Sequence, residues 1–436
     1  MRSRRRIASL FVVIALIGAA CGGDGAEDQA GGDSPESNEP VTIEWWHIQN
    51  NDPGKSIWQD AADAYMEENP NVTVEITVLE NEAFKAKITT AMQAGEPPDL
   101  FQSWGGGGLL EQVNAGLVTD ITDEADPWID ELNPGAVSMY QVEERQYGIP
   151  FDLGIVGFWY NKDLFAKAGI DAPPATWDEL LADVDTLKGE GITPIALGEG
   201  DKWPGMFWYA YLSLRTCGAD VMQQAASDPS AFENACFVQA GEELQRLIEM
   251  EPYQDGFLAA PWEGATGEAA LIANGKAAMD LMGQWAPGTQ QANAENGKGL
   301  GDALGWFPFP AVEGTAGDPT DAFGGANGFA VGRDAPLSQT VDFLHYLVGD
   351  EVATEFGSSG TGILPVKIGT EDSVTDANLT SLLEGRAQAT YVQLYLDQAF
   401  PPAVGLELND IIQTLYAGEA TPEEIAQAIA DAAAAG

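Results

Sequence analysis

The sequence predicts an α/β protein built from two lobes. Between residues 41 and 104, alternating apolar and polar segments are separated by amphipathic ones, a pattern typical of strands alternating with helices in a parallel sheet. A mostly apolar run, Leu153 to Tyr160, follows a Gly-Ile-Pro turn signal and predicts a buried strand. At 436 residues the chain is long enough for two or three hydrophobic cores. We therefore expect this strand to pass from one lobe into the other, with Asp152 at the crossing.

The N-terminal segment predicts export. The basic Met1–Arg6 precedes an apolar run, Ile7–Ala20, as in a secretory signal, and the run is shorter than the roughly 20 residues that span a bilayer. The position of Cys21 resembles a bacterial lipobox, in which the cysteine is lipidated; an ordinary leader with an incidental cysteine is the alternative. We assign residues 1–20 to a signal peptide. The acidic, Gly-, Ser- and Pro-rich residues 21–40 are assigned to a lipidated cysteine and a disordered tether.

Charge and composition exclude several classes of function. The formal net charge is -49, with 68 acidic and 19 basic residues, which argues against nucleic acid or anionic lipid as a partner. The two histidines, His47 and His345, lie far apart in sequence, so a metal site has little support. The Gly105–Gly108 run lacks the following Lys-Ser/Thr of a phosphate-binding loop and predicts a close-approach turn instead. The sequence indicates no cofactor.

The first folded segments place polar and aromatic residues at one sheet edge. Strands are predicted at Val41–His47, Val72–Leu79 and Asp99–Trp104, with helices at Ser56–Asn69 and Ala83–Ala94. Ligands of parallel sheets sit off the carboxyl ends of the strands. The loops at this edge are His47–Asn51, Glu80–Glu82 and Trp104–Gly107.

The later segments continue the α/β pattern. A capping box of Thr176 and Glu179 begins a helix. Further strands are predicted at residues 193–197, 277–282 and 324–331, and further helices at 206–214, 268–275 and 338–349. Chain crossings are predicted at 306–310 and 362–365. The remainder is predicted as helical, with a cap at 421–424 before the terminal helix. Cys217 and Cys236 are expected to form a disulfide, because cysteines of an exported chain usually pair.

Several motifs, in order, resemble the extracellular solute-binding proteins of bacterial ABC importers. The resemblance is to the carbohydrate branch that includes maltose-binding protein and the xylo-oligosaccharide-binding lipoproteins of actinobacteria. The segments that carry it are Pro98–Leu100, Tyr160–Phe165 with Ala168-Gly169, Trp177–Leu180, Asn274–Met279 through Trp285, Phe307–Pro310 and Gly362–Val366.

The resemblance implies a two-lobed periplasmic-binding-protein fold of type II, with the lobes joined by three crossover segments and the ligand between them. It implies an N-terminal lobe of residues 41–151 plus 307–357. The C-terminal lobe would hold residues 152–306 plus 358–436.

A saccharide presents apolar C–H faces, which aromatic rings can cover, and hydroxyls, which short polar side chains can satisfy. Trp285 matches a family position that stacks on sugar. Asp152 could alternatively form a hinge hydrogen bond, and His47 could instead simply satisfy the end of its strand. Maltose-binding protein has a ligand-binding glutamate where this chain has Gly154, so the sugar itself stays open. The candidate substrate-binding residues are Trp46, His47, Asn50, Glu80, Asn81, Trp104, Asp152, Asp201, Trp203, Trp208, Trp285 and Asn327. Packing in the cores is the alternative for each tryptophan, and is our prediction for Trp58, Trp128, Trp159 and Trp177.

The implied function is that of a substrate-binding lipoprotein of an ABC sugar importer, and not an enzyme. It would bind a neutral di- or oligosaccharide and deliver it to the permease subunits. It would act as a monomer on the extracellular face of the cell membrane, held there by its lipid anchor alone. One alternative is a binding protein for a cationic solute such as a polyamine, which the acidity suggests. Another is a glycoside hydrolase, which needs two carboxyl groups across a glycosidic bond, but no motif singles out such a pair.

Overall fold

The strands form two main sheets in a computed structural model of the protein, which describes residues 39–435. The predicted signal peptide and Cys21 lie outside these residues, as does the tether up to residue 38. The strands are β1 (Val41–His47), β2 (Val72–Val78), β3 (Leu100–Ser103), β4 (Gln141–Val142), β5 (Arg145–Gln146), β6 (Gly148–Ile155), β7 (Gly157–Asn161), β8 (Thr193–Ile195), β9 (Ala277–Met282), β10 (Leu304–Phe307), β11 (Ala322–Val331) and β12 (Val392–Leu394).

The helices cover the faces of the sheets. They are α1 (Gly54–Glu68), α2 (Asn81–Ala94), α3 (Gly106–Asn114), α4 (Thr122–Ala125), α5 (Pro134–Ser138), α6 (Lys162–Ala168), α7 (Trp177–Gly189), α8 (Trp203–Cys217), α9 (Ala219–Ser227), α10 (Ala235–Glu249), α11 (Glu268–Ala273), α12 (Ala286–Ala292), α13 (Leu337–Leu347), α14 (Asp350–Ser359), α15 (Ala377–Gln388), α16 (Leu396–Ala399), α17 (Pro402–Tyr416) and α18 (Pro422–Ala435). Within residues 39–435, no helix has both the length and the apolar character that crossing a membrane requires.

The six-stranded sheet has the order β12-β11-β3-β1-β2, with β6 paired to β11. Strand β1 runs parallel to β2 and β3, whereas β11 runs antiparallel to β3 and β6. Its core packs Trp45 edge-on against Trp58 and Phe329. We call the body around this sheet the N-terminal lobe.

The four-stranded sheet has the order β10-β7-β9-β8. Its core holds Trp159, Trp177 and Trp208, all essentially without solvent exposure. Thr176 and Glu179 form the predicted capping box at the start of α7. We call the body around this sheet the C-terminal lobe, and the predicted α/β fold class with two lobes is confirmed.

Two passages between the lobes differ from the sequence-based expectation. The run from Leu153 to Tyr160 is divided between two strands, because β6 pairs with β11 in one sheet while β7 pairs with β9 in the other. The second passage lies within β11, whose Phe323 packs in the C-terminal core and whose Phe329 packs in the N-terminal core. Residues 306–310, where a crossing was expected, are held in the C-terminal lobe, since Phe307 stacks on Phe158 at 4.8 Å between ring centroids.

The third passage lies where the sequence places it. Ile363 and Val366 belong to the N-terminal core, and Leu364 between them belongs to the C-terminal core. Asp152 forms an isolated β-bridge with Pro365, so the first and third passages lie side by side.

A disulfide and a glycine run fix two local arrangements. Cys217 and Cys236 form the predicted disulfide, which joins the end of α8 to the start of α10 with 5.1 Å between their Cα atoms. Gly105 and Gly106 have φ of 69° and 58°, a backbone region that favours glycine. A Cβ atom at Gly107 would overlap the backbone of Phe400. The run therefore approaches neighbouring backbone closely, as the sequence predicted, but Gly106–Gly108 form the first turn of α3 and not a separate turn.

Candidate binding cleft

A cleft with about 1040 Å³ of empty space, its open mouth included, lies between the lobes. Both lobes contribute to its lining, and the strands of the first two passages supply Asp152 and Asn327 at its floor.

The C-terminal wall is aromatic. Trp203 and Phe207 come from α8, one helical turn apart, and Trp285 follows β9. The rings of Trp203 and Trp262 are 6.1 Å apart at 69°, and those of Trp203 and Trp285 are 6.5 Å apart at 60°. Tyr395 extends the wall, 6.0 Å from Trp285. These steeply inclined rings present several apolar faces to one space.

The N-terminal wall is mainly polar. Asn50 and Asn51 follow β1, and Asn81 and Lys85 lie in the first turns of α2. The Lys85 ammonium forms an ion pair with Glu82, with 3.1 Å between Nζ and Oε1. Trp104 follows β3 and is the aromatic residue on this wall, half-buried against Phe84. This wall therefore offers amide groups and one cation.

The two walls touch at one point. The Nδ2 atoms of Asn50 and Asn51 each donate a hydrogen bond to Oε2 of Glu263, both at 3.3 Å. Glu263 belongs to the C-terminal wall, so these bonds cross the cleft. Burial raises the pKa of the Glu263 carboxyl, while the two amide donors oppose that rise.

The floor is a buried polar network. Oδ1 of Asp152 accepts hydrogen bonds from the backbone N of Asn327 at 2.9 Å and from its Nδ2 at 2.8 Å. Oδ2 of Asp152 accepts from Nε2 of Gln284 at 3.2 Å. Burial raises the pKa of Asp152 to about 6, against the effect of these donors and of Arg386. A Cβ atom at Gly154 would overlap the Gln284 side chain, so Gln284 occupies the space that a side chain there would need.

The structure brings seven of the twelve predicted substrate-binding residues to the cleft lining. They are Asn50, Asn81, Trp104, Asp152, Trp203, Trp285 and Asn327. The four tryptophans predicted to pack, Trp58, Trp128, Trp159 and Trp177, are buried in the cores.

Trp46 and His47 lie outside the lining. The Trp46 indole N–H donates to Oε1 of Glu44 at 2.7 Å, and the Lys87 ammonium lies 3.5 Å from its ring centroid. His47 is 1% exposed, and its Nδ1 accepts the backbone N–H of Gln49 at 3.2 Å. Burial lowers the pKa of His47 to about 3. The side chain therefore stays neutral and satisfies the strand end, which was the alternative to a ligand contact.

Glu80, Asp201 and Trp208 also lie outside the lining. The Glu80 side chain caps α2 by accepting from the backbone N–H groups of Glu82 and Ala83. Oδ2 of Asp201 accepts the backbone N–H of Trp262 at 2.7 Å and so supports the aromatic wall from behind. Trp208 packs on Phe158 in the C-terminal core, because residues five apart on a helix point in different directions.

Other lining residues were missed by the sequence analysis. Phe207 lies four residues after Trp203, and this spacing puts both side chains on one helix face. Trp262 and Glu263 stand in an irregular Pro-Trp-Glu-Gly segment with no preceding strand. Tyr395 and Asp397 follow the three-residue β12, in a region that the sequence predicted as helical. Over residues 39–435, no three His, Cys, Asp or Glu side chains are grouped so that they could hold a metal ion.

Comparisons with known proteins agree with this architecture. A family model described as bacterial extracellular solute-binding protein matches residues 49–354. An uncharacterized ABC transporter extracellular-binding protein of Pyrococcus horikoshii is 26% identical over 300 residues. That match covers 66% of this chain and 66% of the relative, just under two thirds of its length.

Two solved structures are similar along their whole length. One, from a study of xylan utilization by the thermophilic bacterium Caldanaerobius polysaccharolyticus, has a TM-score of 0.81 and 29% identity, covering 90% of this chain and 99% of that one. The other, a chitin oligosaccharide binding protein, has a TM-score of 0.81 and 25% identity, covering 91% and 100%. These matches confirm the resemblance found in the sequence motifs. The chain belongs to the bacterial extracellular solute-binding proteins.

Proposed function

We propose that the protein is the substrate-binding component of an ABC sugar importer and that it holds a di- or oligosaccharide in the cleft. The observation that carries the proposal is the pairing of an aromatic wall with an amide-rich wall around one space. Aromatic rings cover the apolar faces of sugar rings, and amides exchange hydrogen bonds with hydroxyls that lose their water. The names of the two similar structures, which concern xylan utilization and chitin oligosaccharides, support a carbohydrate ligand.

Each wall has a proposed role. Trp203 and Trp285 would stack on sugar rings, with Trp104 facing them from the other lobe. Asn50 and Asn81 would bind hydroxyls after the lobes close. Asp152 and Asn327 at the floor already satisfy each other, so they would orient the ligand through the oxygen and nitrogen atoms left accessible.

The ligand would be bound and released unchanged. Both oxygens of Asp152 accept hydrogen bonds from Asn327 and Gln284, an arrangement suited to a fixed wall rather than to proton transfer. This supports a binding protein over a glycoside hydrolase. The two lobes would close by hinge motion, and ligand would shift the equilibrium further toward the closed state.

The proposed location is the extracellular face of the cell membrane. Export is what membership of an extracellular solute-binding family implies. A signal peptide over residues 1–20, a lipid on Cys21 and a tether would keep the protein near its permease. We propose that it presents sugar to that permease as a monomer.

Isothermal titration calorimetry with xylo-, chito- and malto-oligosaccharides of two to five rings tests the proposal. We expect saturable binding to at least one series and a rise in Tm that follows ligand concentration. Chromatography of the ligand after long incubation should return it intact. The proposal is overturned if no saccharide of a broad panel binds, or if the bound ligand is cleaved.

A further inference from the structure

One side of the cleft is acidic. We define the acidic face as Asp201, Glu263 and Asp397, all on the C-terminal wall or directly behind it. Opposite it, α2 begins with Glu80 and Glu82. Lys85 is the basic residue in the lining, and its ammonium is already paired with Glu82 at 3.1 Å.

The acidic face is held by neutral donors. Glu263 accepts from two asparagine amides, and Asp201 accepts from the Trp262 backbone. Within residues 39–435, no lysine, arginine or histidine forms an ion pair with Asp201, Glu263 or Asp397. Neutral donors satisfy the oxygen atoms but leave the negative charge in place. Burial raises the pKa of Asp201 and of Asp397, and the positive charge of Lys85 opposes that rise. Lys85 is one cation, already paired with Glu82, for three carboxyl groups, so the face keeps an excess of negative charge.

Asp397 is the most deeply placed of these carboxyl groups. It is 8% exposed and lines the cleft. Its Oδ2 accepts from Nε2 of Gln398 at 3.0 Å and from Nδ2 of Asn409 at 3.4 Å. Its Oδ1 has no hydrogen-bond partner in the described part of the chain. An unpartnered oxygen of an otherwise buried carboxyl group, in the wall of a cleft, can accept a hydrogen bond from the ligand.

Closure brings like charges together. Burial is the largest cause that raises the pKa of Glu263 and of Asp201. The charges of Glu80 and Asp201 add to the rise for Glu263, and those of Glu82 and Glu80 add to it for Asp201. Glu80 and Glu82 belong to the N-terminal lobe, so this repulsion acts between the lobes. A ligand that brought only hydroxyls would leave the repulsion in place.

We infer that the saccharide carries a free, protonated amine, which binds at the acidic face beside Asp397 and Glu263. The inference rests on the proposed function and narrows it, since the sequence alone indicated a neutral saccharide. A primary ammonium has three donors, which suit the open Oδ1 of Asp397. The inclined rings of Trp203, Trp262 and Trp285 can stabilise the same cation through their faces. An aromatic wall beside uncompensated carboxylates therefore selects a basic sugar over its acylated form.

The test compares three β-1,4-linked oligomers of equal length by calorimetry, near neutral pH and at low ionic strength. They are built from glucosamine, from N-acetylglucosamine and from glucose. We expect the glucosamine oligomer to bind at least about tenfold more tightly than the other two. The preference should shrink as salt is added, because ions screen charge at a partly open site.

Variants connect the preference to the acidic face. Asp397→Asn and Glu263→Gln each keep the shape of the side chain and should each lower the amine preference by about tenfold. Glu67→Gln is the matched control, because Glu67 is exposed at the far end of α1. The readout is the ratio of the dissociation constants of the glucosamine oligomer and the glucose oligomer for the same variant. Partial unfolding would weaken both by the same factor and leave this ratio unchanged.

Each other outcome counts against the inference. Equal or tighter binding of the neutral or N-acetylated oligomer overturns it and leaves the proposed function standing. An amine preference that survives both Asp397→Asn and Glu263→Gln also overturns it. If spermidine binds more tightly than every saccharide, the inference is overturned and the ligand is a polyamine instead of a saccharide. Failure of all saccharides and of spermidine overturns the proposed function instead.

Discussion

The two walls of the cleft present different kinds of side chain to the ligand space. The C-terminal wall presents Trp203, Phe207, Trp262, Trp285 and Tyr395, and all fifteen residues of α8, which carries the first two, are buried. The N-terminal wall presents amides on the loop after β1 and on the first turn of α2. One wall is thus a fixed apolar surface, and the other is a set of donors and acceptors close to solvent.

This difference suggests that the C-terminal wall contributes mainly affinity and the N-terminal wall mainly selectivity. Apolar and aromatic contacts supply most of the affinity of buried sites, whereas amides that water already satisfies contribute little net free energy and select by geometry. We expect the ligand to dock on the C-terminal wall first and the N-terminal wall to close over it. The following predictions test this comparison, starting with the largest expected effect.

Removing the aromatic surface should have the largest effect. The double variant Trp203→Ala/Trp285→Ala should weaken saccharide binding about a thousandfold, or by about 4 kcal/mol, because each ring contributes about 2 kcal/mol as a central contact. Calorimetry measures the loss. Trp128→Phe, which alters a buried ring stacked on His345 in the N-terminal lobe, is the control. A loss below tenfold would mean that the C-terminal wall does not carry the affinity.

Substitution of Asp152, at the floor between the walls, should have the next largest effect, which is on the free energy of unfolding. The folded pKa of Asp152 is about 6, above its usual value of 3.8. Well below pH 3.8 the carboxyl is protonated in both folded and unfolded states and contributes no difference. As pH rises toward 6 the unfolded chain loses the proton first. Asp152 therefore lowers the free energy of unfolding by an amount that reaches about 3 kcal/mol above pH 6.

Asp152→Asn removes this pH dependence. An asparagine fits because the Gln284 amide can turn over, so that its Oε1, a buried acceptor with no partner among residues 39–435, accepts the new N–H. Urea unfolding at pH 3, 4, 5, 6 and 7 should show the variant gaining on the native protein by about 3 kcal/mol across the series. If the free energy of unfolding changes with pH in the same way for the variant and the native protein, the pKa of Asp152 is not raised in the folded state.

The hydrogen bond between Asn51 and Glu263, which joins the two walls, should contribute less free energy to binding. Glu263→Ala and Asn51→Ala each break the same hydrogen bond, so their effects on affinity should overlap. We expect a coupling of about 1 kcal/mol in the double-mutant cycle. A fluorescence distance between labels on the two lobes should report a lower closed fraction for both variants. As a control, the effects of Asn51→Ala and Glu67→Gln on affinity should simply add. If the effects of Glu263→Ala and Asn51→Ala also add, the hydrogen bond between the walls does not contribute to closure of the lobes.

A single amide on the N-terminal wall should matter least. Asn81→Ala should weaken saccharide binding about threefold, since Nδ2 of Asn81 already donates to Oε1 of Glu82 at 2.8 Å and gains little from a hydroxyl. Calorimetry against the same ligand gives the value. A loss as large as that of a tryptophan would reverse the comparison between the walls.

The sequence predicts some cleft residues well because their positions depend on local pattern. Trp104 and Trp285 directly follow strands with a clear apolar pattern, and the carboxyl edge of a sheet gathers such residues. The strand β1 and the capping box at Thr176 depend on alternation and on a short motif, and both appear where predicted.

Other residues could not be predicted in this way. Trp262 and Asp397 reach the cleft through tertiary packing of an irregular segment and of a short helix, which no periodic pattern marks. In α8 the predicted start at Met206 was three residues late. Trp203 therefore falls outside the predicted helix, and the sequence does not show that Phe207 shares its face. The prediction names Trp208, which packs in the core, and does not include Phe207.

The glycine run after β3 links selectivity to a distant position. Gly107 of α3 lies against the backbone of Phe400, three residues beyond Asp397 on the opposite wall. Any larger residue at position 107 would push that backbone away and carry the Asp397 carboxyl with it. If Asp397 binds the ligand as we propose, preference among sugars would drift through a substitution that never meets the ligand, at the start of a helix whose sequence looks like a simple spacer.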